Sequence, residues 1–241
     1  MKLYLVGFGA GSYDGMTIEA KKAIEDCDII VGYTVYVELL KKYFDDKTFL
    51  STPMTKEKDR VEMALKEAEN KNVAIICSGD SVVYGMAGLA YEMSVEYNDV
   101  EICVVPGVTA AISGSAVLGA PLTHDFCVIS LSDLLTPWEK IEKRLECAAM
   151  GDFAVAIYNP SSKKRADYLM KACDIMLKYK TGDTVCGYVK NIGRDGETFE
   201  VMTLKKLREC QVDMFTTVFV GNSETKMING KMITPRGYFR K

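Results

Sequence analysis

Short apolar runs alternate with longer amphipathic segments through the first half of the chain, and this alternation limits the possible fold more than any other feature. The apolar runs show no polar alternation, which is typical of strands buried on both faces. They lie at residues 2–7, 28–32, 72–77 and 100–105. Segments with helical spacing lie at residues 17–26, 56–70, 86–96 and 109–117. Strands that alternate with helices predict a parallel α/β sheet.

The second half has a different order of elements. Strand-like runs lie at residues 126–130, 153–158, 184–189, 197–202 and 215–221. Helices are predicted at residues 138–150 and 163–177. The segments "RDGE" and "MINGKMI" place Asp-Gly and Asn-Gly between strand-like flanks, which is the strongest short signal for a hairpin. A mixed, partly antiparallel α/β domain is therefore predicted.

The boundary between the two predicted domains lies in "LGAPLTHDF", where glycine and proline interrupt the pattern. We expect an N-terminal α/β domain at residues 1–119 and a C-terminal mixed α/β domain at residues 120–241. Residues 1–120 carry 11 Lys and Arg against 18 Asp and Glu, whereas residues 121–241 carry 19 against 15. The basic half is the better candidate for an anionic substrate, and the alternative is a chance imbalance on solvated faces.

The composition argues against several classes of protein. Hydrophobic residues make up 48% of the chain and charged residues 26%, as in ordinary globular proteins. No apolar run approaches the roughly 20 residues of a membrane span, and glycine follows the start too soon for a signal sequence, so we expect a cytoplasmic protein without membrane contact. Lys and Arg are scattered, which argues against nucleic acid as a partner.

The eight cysteines contain no C-x-x-C pair and the one histidine is His124, so we expect free thiols and no metal site.

The glycines that follow the first strand match a dinucleotide-binding motif only weakly. Gly7, Gly9 and Gly11 are correctly placed for one, but the second strand ends on Gly32 and Tyr33 instead of the acidic residue that binds a ribose. No G-x-x-x-x-G-K-[ST] sequence is present for a nucleoside triphosphate.

Three segments of small residues follow predicted strands, at residues 7–12, 79–88 and 104–111. In an open α/β sheet the ligand lies outside the carboxyl ends of the strands, where glycines let the backbone approach it closely. These segments contain the carboxylate of Asp80 and no Lys or Arg. An adenosine with a cationic tail, such as S-adenosyl-L-methionine, therefore fits better than a polyphosphate.

Five segments, in order along nearly the whole chain, resemble successive motifs of the tetrapyrrole methyltransferases of cobalamin biosynthesis. They are "SGDSVVYGMAG", "VPGVTA", "GAPLTHDFCVISLSDLLTPW", "AIYNPSSKKR" and "ITPRGY". The third is most similar to the members that methylate C17 of a precorrin. This chain has Ala10 and Ser81 where the family often has proline, and both positions shape the loop backbone.

The resemblance implies two α/β domains of the tetrapyrrole methylase type, with a parallel N-terminal sheet, a mixed C-terminal sheet and the methyl-donor site in the cleft between them. It also implies S-adenosyl-L-methionine as the donor and a homodimer as the functional unit. The positions that match the family's donor-binding motifs are Gly9, Gly79, Asp80, Ser81, Gly85, Pro106, Thr109, Ala110, Tyr158, Asn159, Gly187 and Lys190.

Methyl transfer to carbon needs mainly alignment, because the methyl group is activated by a positive sulfur and a reduced tetrapyrrole is an electron-rich nucleophile. The resemblance implies that C17 methylation of a precorrin or cobalt-precorrin is coupled to contraction of the ring, a step that needs proton transfers. Three groups of the right kind are close in the sequence and are predicted to be catalytic, His124, Ser130 and Asp133. The substrate is a small tetrapyrrole with many carboxylates, and its predicted ligands are Thr136, Lys163, Arg194 and Arg236.

Each of these residues has an alternative interpretation. His124 is near Pro121 and fits a hinge, and Asp133 fits a cap of the short turn before Pro137. Lys163 fits a solvated first helical turn, and Arg236 fits an ion pair within the protein.

The function also has alternatives. One is a sibling enzyme that methylates another ring carbon, or the related enzyme that methylates a diphthamide precursor on a protein. The other is a non-catalytic module that binds a tetrapyrrole or an adenosyl ligand.

Overall fold

The computed structural model describes residues 1–162 and 165–238, and its contacts divide the chain into two units, Met1–Ser113 and Gly114–Lys241. The division lies inside the helix at Ala110–Leu118, whereas the sequence predicts a boundary just after it. Among the described residues, no helix is long and apolar enough to cross a bilayer.

The first unit contains the predicted parallel sheet. Its strands, in the spatial order β3-β2-β4-β1-β5, are all parallel. They are β1 (Lys2–Gly7), β2 (Ile29–Tyr33), β3 (Thr48–Thr52), β4 (Val73–Cys77) and β5 (Glu101–Val105). The helices are α1 (Ile18–Glu25), α2 (Thr34–Lys41), α3 (Glu57–Ala68), α4 (Ala87–Met93) and α5 (Ala110–Leu118), with a 3-10 turn at Ser94–Glu96. The sequence prediction lacked α2 and β3.

Helices cover both faces of this sheet. Ile24 of α1 and Leu40 of α2 belong to one buried cluster, whereas Leu65 of α3 and Ala90 of α4 belong to another. The chain therefore leaves β1 towards one face and leaves β4 towards the other. Because β1 and β4 are neighbours, their carboxyl ends form a topological switch point, which is where open α/β sheets bind ligands.

The second unit contains a mixed sheet in the order β10-β9-β11-β8-β7, in which only the pair β7 and β8 is parallel. A smaller sheet has the order β12-β13-β6. The strands are β6 (Gly119–Ala120), β7 (Phe126–Ser130), β8 (Ala154–Tyr158), β9 (Val185–Lys190), β10 (Thr198–Thr203), β11 (Thr216–Val220), β12 (Lys226–Ile228) and β13 (Lys231–Ile233). The helices are α6 (Trp138–Met150), α7 (Tyr168–Met176) and α8 (Leu204–Leu207). The predicted fold class, a parallel and a mixed α/β sheet, is confirmed.

The turn between β12 and β13 has the predicted hairpin chemistry. Asn229 and Gly230 have φ values of 50° and 73°, as a type I′ turn requires. The helix predicted at residues 163–177 begins only at Tyr168, and residues 163 and 164 lie outside the described part of the chain. The side chain of Arg165 instead donates to Ser132 on the loop after β7 and to the hydroxyl of Ser162.

Candidate functional site

The loops that follow β1 and β4 are joined by their backbones at the switch point. The amide of Gly9 donates to the carbonyl of Gly79 (2.9 Å), and the amide of Gly79 donates to the carbonyl of Gly9 (2.7 Å). The amide of Phe8 also donates to the carbonyl of Cys77 (3.0 Å). These bonds fix the two glycine segments side by side.

Several of the glycines are needed because the loops pack on one another. A Cβ atom at Gly107, in the loop after β5, would lie 2.2 Å from the carbonyl oxygen of Gly79 and 2.4 Å from that of Gly7. A Cβ atom at Gly85 would lie 2.2 Å from the carbonyl oxygen of Ser81. Close approach of a ligand was the expected reason for such glycines, but at positions 85 and 107 the neighbour is protein backbone.

Asp80 and Ser81 connect the loop after β4 to the loop after β5. One oxygen of Asp80 accepts from the amides of Val82 and Val83 (both 2.8 Å), and the other accepts from the amide of Gly107 (2.9 Å). The Ser81 hydroxyl donates to the carbonyl of Val105 (2.9 Å). Both side chains are buried, so these two predicted donor-site residues shape the site through the backbone that they hold.

The carboxyl group of Asp80 is stabilised in its charged form. Burial opposes ionisation, but the hydrogen bonds donated by the amides of Gly107, Val83 and Val82 outweigh it and hold the pKa of Asp80 below its usual value. A lowered folded-state pKa adds stability above the unfolded value of about 3.9, and this contribution is lost as the pH falls through the folded value.

We therefore expect Asp80→Asn to lower the free energy of unfolding by about 1–3 kcal/mol at pH 7, because backbone amides lose a charged acceptor. Urea unfolding at pH 7 and pH 3 measures the effect. The difference between the parent and the variant should shrink at pH 3, because this pH is below the unfolded pKa of about 3.9 and the carboxyl of the unfolded chain takes up a proton there. Asp14→Asn, at an exposed position of the loop after β1, is the control. An equal difference at both pH values would contradict this role of Asp80.

The remaining predicted donor-site residues of the first unit lie beside the loops after β1 and β4. Thr109 directly precedes α5, which begins at Ala110, and a Cβ atom at Gly79 would lie 3.5 Å from the Ala110 nitrogen. Pro106 is exposed beside them. On the loop after β4, Val82 and Tyr84 are exposed, which adds apolar surface next to this backbone.

In the second unit, polar side chains gather at the carboxyl ends of the parallel strands β7 and β8. Asn159 follows β8 with a positive φ of 51°, and its amide nitrogen donates to the Ser130 hydroxyl (2.9 Å). Asp133 lies on the loop after β7. One of its oxygens faces Nη1 of Arg165 (3.3 Å), and the other accepts from the Tyr168 hydroxyl (2.6 Å). Tyr158, the last residue of β8, accepts from the amide of Leu131 through its carbonyl.

Tyr168 is fixed by its neighbours. Its ring packs on that of Trp138 at a centroid distance of 4.5 Å. Its hydrogen bond to Asp133, together with burial and the charge of that carboxylate, raises the pKa of the phenol above its usual value. Tyr168 therefore remains a hydrogen-bond donor to Asp133 at neutral pH.

His124 does not lie with Ser130 and Asp133, although the three are close in the sequence. It precedes β7, whereas Ser130 ends that strand and Asp133 follows it. Since a strand rises by about 3.3 Å per residue, the two ends of β7 are well separated. His124 instead lines a separate pocket of about 230 Å³ with Asp125, Asp152, Phe153, Ser223 and Glu224. Its Nε2 atom is 4.0 Å from an oxygen of Glu224.

Two predicted donor-site residues of the second unit are on β9. A Cβ atom at Gly187 would lie 2.9 Å from the carbonyl oxygen of Glu200, so this glycine is required by the packing of the sheet. The ammonium of Lys190 is 2.8 Å from Asp213 and is thus already paired with a carboxylate.

The predicted substrate residues are scattered over the second unit. Arg236 donates from Nη1 to the carbonyl of Thr123 (3.1 Å). Arg194 lies in the turn after β9, and Thr136 lies on the loop before α6. Lys163 is outside the described residues.

Arg165 and Tyr168 complete the Asp133 cluster. Arg165 belongs to the basic run "KKR", for which a substrate carboxylate was one interpretation although only Lys163 was named as a ligand, and Tyr168 was not predicted. Arg165 is the last residue of "SSKKR", and the two serines in this run are the only local signal that its side chain has a polar role. Tyr168 is 35 positions from Asp133, so no sequence spacing connects them.

Residues 2–208 match the model of the Tetrapyrrole (Corrin/Porphyrin) Methylases. The chain belongs to this family. A probable cobalt-factor III C(17)-methyltransferase from Methanocaldococcus jannaschii is 47% identical over 99% of this chain and 98% of its own length. The cobalt-factor III methyltransferase of Priestia megaterium is 48% identical over 100% of this chain but only 46% of its own length. The chain thus spans about half the length of some curated relatives.

The fold comparison agrees with the family. The crystal structure of the methyltransferase CobJ superimposes with a TM-score of 0.88 at 34% identity, covering 97% of this chain and 98% of that one. The family predicted from the five motifs is confirmed.

Proposed function

We propose that the protein transfers a methyl group from S-adenosyl-L-methionine to C17 of a precorrin or cobalt-precorrin, with contraction of the ring, in cobalamin biosynthesis. The observation that carries this proposal is the match along nearly the full length of both chains to a relative named as a cobalt-factor III C(17)-methyltransferase. The motif "PLTHDFCVISLSDLLTPW" supports the same choice of ring carbon.

The loops of the first unit fit the adenosyl donor. They lie at a switch point, their backbones are fixed by Asp80 and by the pairing of Gly9 with Gly79, and they contain no Lys or Arg for a polyphosphate. When bound, S-adenosyl-L-methionine supplies a methyl group activated by a positive sulfur. In this proposal Gly9, Gly79, Pro106, Thr109 and Ala110 contact the donor through their backbone. Asp80, Ser81 and Gly85 keep that backbone in place.

Further donor contacts and the proton transfers are proposed for the second unit. Tyr158, Asn159, Gly187 and Lys190 are proposed donor ligands, as the family resemblance implies. Asp133 and Ser130 lie in one hydrogen-bonded cluster, which favours them for the proton transfers of ring contraction. His124 remains a separate hypothesis because it lies at the other end of β7. A cytoplasmic homodimer also stays a prediction from the resemblance.

The test is to incubate the purified protein with S-adenosyl-L-methionine labelled in its methyl group and with a set of precorrins and cobalt-precorrins. We expect one substrate to gain label at C17, as located by carbon NMR. Calorimetry with S-adenosylhomocysteine should show one saturable site per chain.

Three other results would overturn the proposal in different ways. Label at another ring carbon would indicate a sibling methyltransferase. Binding of S-adenosylhomocysteine without label in any tetrapyrrole would favour the non-catalytic module. Binding of NAD without binding of the adenosyl ligand would remove the donor assignment altogether.

A further inference from the structure

The side chain of Arg165 is held in one orientation by three acceptors. Its Nε atom donates to the Ser162 hydroxyl (3.1 Å), and its Nη1 atom donates to the Ser132 hydroxyl (3.0 Å) and lies 3.3 Å from Asp133. Arginine has five N–H donors, two of them on Nη2. Within residues 1–162 and 165–238, no partner of Nη2 is found. The side chain is 19% exposed, so a ligand can reach it.

The groups that hold Arg165 are themselves fixed. Asp133 accepts a hydrogen bond from Tyr168, whose ring packs on Trp138. Ser132 is fixed through its amide, which donates to the Ser130 hydroxyl (3.2 Å). A guanidinium that is oriented before binding loses little side-chain entropy when a ligand arrives, and its planar fork matches a carboxylate.

We propose that Arg165 binds a peripheral carboxylate of the tetrapyrrole substrate through Nη2, and that Asp133, Ser132 and Ser162 orient it for this contact. The proposal rests on the proposed function for the identity of the ligand. An N–H···O bond between guanidinium and carboxylate is charge-assisted on both sides and is among the stronger hydrogen bonds in proteins.

Other cations of the second unit are less suitable anchors. Lys190 is paired with Asp213, and Arg236 is engaged with the carbonyl of Thr123. The loop that supplies Ser132 and Asp133 also carries Leu134 and Leu135, which are 64% and 98% exposed. A ligand that combines an apolar ring with carboxylates matches a fixed guanidinium beside exposed leucines.

The charge of Asp133 bears on this proposal. The carboxylate of Asp133 orients Arg165, which favours binding of the substrate. Its negative charge also partly offsets the charge of Arg165 and would repel a substrate carboxylate, which opposes binding. Substituting Asp133 by asparagine keeps an acceptor for Arg165 while removing that repulsion. Under this proposal the substitution leaves substrate affinity unchanged or increases it.

The experiment measures tetrapyrrole binding by absorbance titration without the donor, in Arg165→Ala, Arg165→Lys and the control Arg208→Ala. Arg208 forms an exposed ion pair with Asp174 elsewhere in the second unit. We expect Arg165→Ala to weaken binding about 10- to 100-fold, as for loss of a charge-assisted contact, and Arg165→Lys to give an intermediate loss. Arg208→Ala should bind like the parent, and thermal unfolding should confirm that all three variants fold.

A second ligand separates direct contact from indirect effects. For the same tetrapyrrole with its carboxylates converted to methyl esters, the parent and Arg165→Ala should have equal affinities. If Arg165→Ala binds the free acid as tightly as the parent, or loses the same factor with the ester, the anchor is wrong. Calorimetry of the parent protein with S-adenosylhomocysteine separates a failure of this proposal from a failure of the proposed function. If the parent does not bind S-adenosylhomocysteine, the proposed function is wrong, but the role of Arg165 is not affected.

Discussion

Gly107→Val is expected to reduce affinity for S-adenosylhomocysteine at least 100-fold, which corresponds to about 2.7 kcal/mol. The reason is steric. A Cβ atom at this position would lie 2.2 Å and 2.4 Å from two backbone carbonyl oxygens, of Gly79 and Gly7, and neither can rotate away. The loops after β1, β4 and β5 would have to separate, which would move the backbone groups proposed to contact the donor.

The variant should remain folded, although at a lower melting temperature. Forcing extra volume into a packed site typically costs about 1–3 kcal/mol, and each kcal/mol lowers the melting temperature of a chain of this size by about 2–4 °C. Calorimetry measures the affinity, and differential scanning calorimetry measures the melting temperature.

Gly88→Val is the matched control for this substitution. Gly88 lies in the first turn of α4, at the end of the small-residue segment 79–88, and a Cβ atom there would meet no heavy atom within 4 Å beyond its chain neighbours and its own helix. We expect this variant to bind S-adenosylhomocysteine like the parent. If Gly107→Val retains the parent's affinity while remaining folded, the donor does not use these three loops.

Asp133→Asn is expected to slow ring contraction by about 10²- to 10⁴-fold, the usual contribution of a general acid or base. Asparagine keeps the shape of the side chain and can still accept a hydrogen bond from Arg165 or Tyr168, but it cannot take up a proton. Affinity for S-adenosylhomocysteine should be unchanged. Single-turnover reactions, with the product analysed for both methylation and ring size, measure the effect.

The control for this charge removal is Asp174→Asn on α7. Asp174 pairs with the exposed Arg208, away from the cluster around Asp133. It should turn over at the parent rate. A parent-like rate in Asp133→Asn, with parent-like binding of the tetrapyrrole, would mean that Asp133 serves only to orient Arg165.

The elements that could be predicted are those whose pattern is local. The strand β7 and the helix α6 begin and end where the sequence predicts, because each has a continuous apolar run or a clear amphipathic period. Residues 34–52 contain α2 and β3, which the prediction lacked. β3 lies at the edge of the sheet, and its middle three residues are partly or fully exposed, so it has none of the continuous apolar character of β4.

In the candidate site, local sequence patterns likewise identified individual segments, whereas contacts between distant residues required the structure. The motif that contains Asp80 predicted a loop at the end of a strand, but only the fold shows that the carboxylate accepts from the amide of Gly107, 27 positions away. His124 and Asp133 are nine positions apart in the sequence, and the extended strand between them carries them to opposite ends of β7. Arg165 meets Asp133 because the parallel pairing of β7 and β8 brings their following loops together.

The sequence by itself determined the family, the two kinds of sheet, the hairpin at Asn229-Gly230 and the glycine loops at the strand ends. These depend on residue type and spacing within short windows, and those properties are present in the unfolded chain. Only the tertiary structure decided which glycines are required by packing. It also decided that the carboxylate of Asp80 accepts hydrogen bonds from backbone amides, and that Asp133 orients Arg165. Such contacts join residues far apart in the chain, and their geometry is set by strand order and register, which no local pattern contains.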